Sequence, residues 1–397
     1  MNLPIADRVK TVKQSDIRRF SAICAAMKGV NLSQGVCDQP APEAVKEAAK
    51  RAIDSDCASY TNLRGTVELR RAIARKMRDF NGIECDPETQ VCTTVGAAGS
   101  FACAVLATMN AGDEAIVFSP FYGYHVNLLK LLGMNIRYVD LCPPDWSYSK
   151  AELEAAFGDR TRLIVLCTPA NPSGKVYDEA ELRHIAALAK QHNVWIASDE
   201  IYEYITFGKP HISIGRLPDA KERTMTLSGA SKTYAVTGWR VGYAVGPAEI
   251  IDRISMVNDL VYICAPAPLQ HGVVAGLELP ESYYLRMRAD YFDKREMLAD
   301  TLREIGLTPF IPDGSYYMLA SFEDDRWPGA VAATESILQQ VGVATVPGTA
   351  FYRRAEDGDN QLRFCFAKKM SDLEEACARL RRVSRQKSAI RVLGSVA

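Results

Sequence analysis

Thr224 to Tyr243 reads TMTLSGASKTYAVTGWRVGY, and the rest of the chain is organised around it. A short β-favouring run, Thr224 to Leu227, breaks at Ser228-Gly229 and passes through Ser231-Lys232-Thr233. Gly238-Trp239-Arg240 then leads into a second apolar run from Val241. The pattern predicts two strands with two cations in the turn-rich segment between them. A lone lysine in a turn is ordinarily solvated. Lys232, however, is flanked by small and hydroxylated residues, which leave room for its amine to form a covalent adduct with an aldehyde. Arg240, eight residues later, can supply the permanent charge that a bound phosphate takes up.

Ser231 to Tyr243 resembles the cofactor-lysine signature of the class I and II aminotransferases, in their aspartate aminotransferase-like form. These are fold type I enzymes of pyridoxal 5'-phosphate. The resemblance implies that Lys232 forms the internal aldimine and that Arg240 grips the phosphate. Many members carry a phosphate-binding serine three residues before the lysine; this chain has Gly229 there, and Ser231 is the hydroxyl left to compensate.

The same family pattern runs from about Leu32 to Ala367 with its motifs in order. Residues 1 to 30 read as an arm with a short helix, Asp16 to Lys28, followed by a turn in which Gly35 precedes Asp38. Gly35 serves a turn on any reading; the family adds backbone contact to the substrate carboxylate. Glu43 to Asp54 and Val67 to Asp79 are helical by period. Between them stands Tyr60, whose family counterpart reaches the neighbouring subunit's cofactor phosphate, a role that requires a homodimer.

Gln90 to Val95 predicts a strand ending in Gly96-Ala97-Ala98-Gly99, and a helix of small residues runs on to Met109. A helix amino terminus with side chains this small lets an anion approach free N–H groups. Ala115 to Phe118 ends in Ser119-Pro120-Phe121-Tyr122, which matches the family's aromatic platform and implies that Tyr122 lies on the pyridine. Leu163 to Cys167 leads to Asn171-Pro172-Ser173-Gly174, where the family assigns Asn171 to the cofactor's phenolic oxygen. The helix Asp178 to His192 opens with a capping box, Asp178 and Glu181. Val194 to Ala197 closes with Ser198-Asp199-Glu200-Ile201-Tyr202, and the family gives Asp199 the pyridine nitrogen and Tyr202 the phenolic oxygen.

Without the family, four apolar runs still end in Tyr122, Asn171, Asp199 and Lys232. In an open α/β sheet ligands bind outside the carboxyl ends of strands, so one site is expected from all four. Beyond Gly246 a helical region is interrupted by Pro266 and Pro268, and a further helix spans about Pro280 to Ile305. Strand signals at Tyr316 to Ser321, Val343 to Val346 and Leu362 to Ala367 read as a smaller α+β domain. Arg363 there resembles the family's substrate-carboxylate arginine, a role that suits a planar fork.

The expected architecture is α/β, a large domain with a mostly parallel sheet flanked by helices plus a smaller α+β domain. Its parts are an arm and part of the small domain at 1–42, a large cofactor-binding domain at 43–280 and a C-terminal small domain at 281–397. With 397 residues, 48% apolar and 24% charged, the chain can bury such a core. A net charge of -1 offers no electrostatic reason for nucleic acid or a membrane surface. Eleven cysteines without a C-x-x-C pair point to reduced thiols and a cytoplasmic setting, and the amino terminus lacks an apolar signal core.

The resemblance implies a ping-pong exchange between an amino acid and a 2-oxo acid. Lys232, released by the incoming amine, is the base that moves the α-proton, which requires a neutral amine. Asp199 keeps the ring nitrogen protonated, and Gly35, Asn171 and Arg363 hold the substrate. Two alternatives share these residues: a β- or γ-eliminating lyase of the same fold and a non-catalytic pyridoxal phosphate-binding protein. For the side-chain pocket, Tyr124, Tyr262 and Ile17 predict an aromatic lining, and Arg64 is the candidate for an acidic group.

Overall fold

The alternation of side chains along each strand builds the large sheet, and two opposite apolar faces follow from it. Ala115 and Val117 pack into one core with Leu163 and Val165, whereas Ile116 and Phe118 pack into another with Ile164 and Leu166. A strand buried on both faces reads as a continuous apolar run, and each fully buried Val, Leu, Ile or Phe contributes roughly 1.5–3 kcal/mol. These residues therefore bind helices on both sides of one sheet. The computed structural model describes residues 3–10, 15–323 and 326–383, so the outer ends of the 1–42 and 281–397 segments lie outside the described residues.

In chain order the strands are β1 (Val30–Asn31), β2 (Val91–Val95), β3 (Glu114–Ser119), β4 (Asn135–Cys142), β5 (Ser147–Tyr148), β6 (Thr161–Cys167), β7 (Trp195–Asp199), β8 (Thr224–Gly229) and β9 (Val241–Val245). The last eight form one sheet in the order β2-β9-β8-β7-β6-β3-β4-β5. β9 runs antiparallel to β2 and β8, β5 runs antiparallel to β4, and the remaining pairs are parallel. After β3 the chain adds β4 on one side and returns to add β6, β7 and β8 on the other. That reversal opens a crevice at the carboxyl ends of β3 and β6.

A second body follows the long helix Glu281–Glu304. Strands β10 (Thr308–Phe310), β11 (Tyr317–Ser321), β13 (Val346–Pro347) and β14 (Gln361–Cys365) form an antiparallel sheet ordered β10-β11-β14-β13. The short strand β12 (Val343–Ala344) pairs in parallel with β1. The helix Asp16–Ala26 buries Phe20 and Cys24 against Leu338 and Ala344, so this early segment packs on the carboxyl-terminal part of the chain.

Several expected boundaries shift. β8 continues through Ser228 and Gly229, because its ladder to β9 holds them in place where local propensity would end the strand. The helix from Val67 gives way at Met77 to one π-type turn ending at Asn81. The run Val343 to Val346 divides at Thr345 into β12 and β13, and β4 and β10 are additional strands. The capping box at Asp178 and Glu181 is formed. Among the described residues no helix is long and apolar enough to cross a membrane.

Candidate active site

The ends of β3, β6, β7 and β8 deliver Tyr122, Asn171, Asp199 and Lys232 to the wall of one cavity of about 710 Å³. Gly35, Ala97, Ala98, Tyr202, Ser231 and Arg240 line it as well. Besides Arg64, three expected residues lie elsewhere. Gly96 stands behind Arg240, Arg363 is fully buried behind Asn171, and Tyr60 is 79% exposed outside the cavity.

Lys232 follows β8 in a tight turn, and its Nζ donates to the Gly35 carbonyl at 3.2 Å. Burial holds its pKa below the ordinary lysine value, and the Arg240 charge acts in the same direction. Gly229 has a packing reason of its own: a Cβ there would stand 2.9 Å from both the Gly242 Cα and the Val241 carbonyl oxygen. The close approach of β8 to β9 excludes a side chain at that position. Ser231 is the buried hydroxyl that faces the cavity.

Arg240 adopts a left-handed backbone (φ 55°) after the turn Thr237–Trp239, and its Nη1 donates to the Thr237 carbonyl at 2.9 Å. Its guanidinium presses on Gly96, where a Cβ would fall 2.4 Å from Nη2. Gly96 itself has φ +70° and begins the helix Gly96–Thr108. One guanidinium and one helix amino terminus thus face the same end of the cavity, a strong combination for a phosphate-sized anion.

At Asp199 sequence reasoning missed a partner. His125 Nε2 lies 3.0 Å from Asp199 Oδ2, and the Ile201 amide donates to Oδ1 at 3.3 Å. His125 sits one turn into the helix Gly123–Leu131, edge-on to the Tyr122 ring at 5.1 Å. Tyr317 was missed too: Tyr202 OH donates to Tyr317 OH at 3.3 Å, and burial raises the pKa of both phenols, which keeps them neutral. The same ring carries the Arg363 guanidinium, whose Nη1 donates to Asn171 Oδ1 at 2.8 Å and whose Nη2 donates to the Ser33 carbonyl. Among the described residues Arg363 Nε has no partner.

Arg64 is not a pocket residue. It pairs with Asp252 at 2.7 Å and donates to the carbonyls of Glu88 and Thr89, an anchor for the loop before β2. Ile17, Tyr124 and Tyr262 do line the cavity, and Arg18, which sequence reasoning passed over, lies among them.

The chain was compared with known proteins. The family described as "Aminotransferase class I and II" matches residues 27–380. A putative aminotransferase of Bacillus subtilis is 33% identical over 95% of this chain and 97% of its own length. The kynurenine–oxoglutarate transaminase of Dictyostelium discoideum is 32% identical over 90% of this chain and 91% of its own. The solved N-succinyldiaminopimelate aminotransferase of Mycobacterium tuberculosis superposes with a TM-score of 0.92 at 30% identity, covering 96% of this chain and all of that one. With a strand-end cavity, a shared fold and a family match over most of its length, the chain belongs to the class I and II aminotransferases and is an enzyme of amino-group transfer.

Proposed function

We propose that this aminotransferase uses pyridoxal 5'-phosphate in a ping-pong exchange between an amino acid and a 2-oxo acid, with Lys232 as the amine that bonds the cofactor's aldehyde. The observation that carries this reading is the meeting, in one cavity, of the Lys232 amine, the Asp199 carboxylate and the Arg240 guanidinium. Each matches one group of the cofactor: the aldehyde, the ring nitrogen and the phosphate. The fit has independent support, since the left-handed backbone at position 96 favours glycine and leaves room for the Arg240 guanidinium, and among the described residues Arg363 Nε is a buried donor with no acceptor.

When bound, the cofactor's protonated ring withdraws electrons from the substrate Cα, so that its C–H bond can break. Asp199 would hold the ring nitrogen's proton, in an orientation maintained by His125 Nε2. Arg240, Ser231 and the N–H groups at Gly96, Ala97 and Ala98 would hold the phosphate. Asn171 offers its amide N–H groups, because its Oδ1 is engaged by Arg363, and the Tyr202 hydroxyl would turn its hydrogen from Tyr317 OH to the phenolic oxygen. Tyr122 would flank the ring.

Arg363 is a buried cation whose two hydrogen bonds among the described residues go to neutral groups, which favours a carboxylate ligand. Gly35 would complete the substrate carboxylate's contacts. Lys232 Nζ, freed from the cofactor, would carry the proton to and from Cα, and its depressed pKa favours the neutral amine this requires. The exposed Tyr60 suits a role across a homodimer interface, and eleven free cysteines suit a reducing cytoplasm. We assign the arm and part of the small domain to 1–42, the large cofactor domain to 43–280 and the rest of the small domain to 281–397.

Lys232→Ala is the decisive variant. Borohydride should fix a pyridoxyl group on the native side chain and not on the variant, and turnover should fall by orders of magnitude. Undiminished transamination in Lys232→Ala refutes the assignment. With an amino acid added alone, accumulation of the pyridoxamine form identifies transamination, whereas release of ammonia identifies elimination.

A further inference from the structure

The Gly35 carbonyl accepts from two donors: Lys232 Nζ reaches it at 3.2 Å and Tyr316 OH at 3.1 Å. A carbonyl oxygen repels a carboxylate, so of the two backbone groups of Gly35 only the N–H can serve the substrate carboxylate in the reading above. The carbonyl is left to the amine, and among the described residues it is the one hydrogen-bond acceptor that Nζ has. Tyr316 is fully buried, with its ring edge-on to Tyr202 at 5.1 Å and its own carbonyl accepting from the Phe366 amide at 3.0 Å. Burial holds the phenol's pKa well above its ordinary value, so the hydroxyl keeps the proton it donates.

A neutral amine has one lone pair, and it takes the α-proton only when that lone pair points along the C–H bond. Rotation about the Cε–Nζ bond scatters it. One N–H held at the Gly35 carbonyl restricts the rotation, and the restriction is only as good as the placement of that oxygen. A glycine backbone is conformationally permissive, so it does not fix its own carbonyl. Tyr316 supplies the restraint: its hydroxyl takes one lone pair of the oxygen and leaves the other to Nζ. We propose that Tyr316 is a positioning residue for proton transfer, which fixes the Gly35 carbonyl as the point on which the Lys232 amine orients; the inference rests on the transaminase reading above. The proton passes from the substrate Cα to the Nζ lone pair, and the C–H electron pair stays on the carbon side. The ammonium so formed keeps its bond to the same carbonyl until it gives the proton up.

The test uses the holoenzyme with the best donor from a screen of the common amino acids, 2-oxoglutarate or pyruvate as acceptor, and the α-methyl analogue of that donor, which has no α-proton to lose. Tyr316→Phe should lower kcat and kcat/KM alike, about tenfold, with KM within about twofold of native. Deuterium at the donor Cα should slow the variant by a larger factor than it slows the native enzyme, because proton transfer has become the slow step. Equilibrium binding of the α-methyl analogue should be the same in both. Tyr291→Phe is the control: it removes a hydroxyl from the same aromatic cluster, where that hydroxyl meets the Cys37 thiol at 3.5 Å, and it should keep native turnover and the native isotope effect. Native kcat in Tyr316→Phe, an equal loss in Tyr291→Phe, or analogue binding weakened in step with kcat overturns the role of Tyr316 while leaving transamination intact. A cofactor-loaded native protein that transfers from no amino acid overturns the transaminase reading, and the role of Tyr316 with it.

Discussion

The Arg363 guanidinium carbon stands 4.2 Å from the centroid of the Tyr317 ring, and Tyr317 OH accepts from Tyr202 OH at 3.3 Å. One tyrosine therefore supports the candidate carboxylate-binding arginine on its face and touches a candidate cofactor ligand at its tip. A lysine at 363 would keep the charge and lose both the flat stack and the fork. Arg363→Lys should lower kcat/KM about tenfold to a hundredfold, the range of one or two charged hydrogen bonds, with cofactor affinity retained. Steady-state kinetics beside a cofactor titration checks this; activity within twofold of native would remove Arg363 from substrate binding.

Gly96→Ala should damage the proposed phosphate end of the site. The left-handed backbone alone costs about 1–2 kcal/mol for a side-chain-bearing residue, and the new Cβ would also displace Arg240. Cofactor affinity should fall at least about tenfold, the cost of losing one charged contact. Gly112→Ala is the control: its φ is +89° and a Cβ there meets nothing within 4 Å. It should lose comparable stability with native cofactor affinity.

Lys76 Nζ lies 2.5 Å from Glu203 Oε2, and both side chains are buried. Burial alone would raise the Glu203 pKa; the charges of Lys76 and His211 and the Asn81 amide outweigh it and hold the carboxyl below its ordinary range. Lys76→Met should cost about 3–5 kcal/mol by leaving that charge unpaired, and adding Glu203→Gln should recover most of it. The sign with pH follows from a depressed folded-state pKa. The stabilisation is present above the unfolded value of about 4.3 and is lost as pH falls through the lower folded value. Acid unfolding should therefore be less steep in the double variant.

For Lys232 the direction is opposite in charge and equally definite. Burial lowers its pKa, so the neutral amine predominates from a pH below the ordinary lysine value of about 10.4 upward. The rate at which apoenzyme captures the cofactor's aldehyde should rise with pH and level off before that value. A stopped-flow titration that keeps rising through it would contradict the enclosed environment of this amine.

His125 tests a different link. Its one short contact to a carboxylate goes to Asp199, so His125→Phe should lower turnover more than substrate affinity, with Lys232 still trapped by borohydride. His125→Asn, which can still donate a hydrogen bond, should recover part of the turnover. Equal loss in both variants would indicate packing alone.

Residues carried at strand ends were legible because an apolar run, its terminus and the residue beyond it are adjacent in sequence. Tyr122, Asn171, Asp199 and Lys232 all have that form, and the cavity gathers all four. His125, Tyr317 and Arg18 do not. Their partners lie 74, 115 and 106 residues away, at Asp199, Tyr202 and Tyr124, and no local pattern records such meetings. Gly229 looked like an altered phosphate ligand because its sequence position is close to Lys232; the packing of β8 on β9 supplies its reason. β4 escaped notice because Asn135, Arg137 and Asp140 interrupt its apolar residues.

The pairing of β1 with β12, continued by the Leu32 amide on the Ala344 carbonyl and the Cys365 amide on the Leu32 carbonyl, has a mechanical meaning. The described segments 16–35 and 343–365 are thereby woven into a single jaw bearing Arg18, Gly35 and Arg363, while the sheet of β2 to β9 forms the bed beneath. Loosening the jaw at Leu32 should register in Michaelis constants well before it registers in retention of the proposed cofactor.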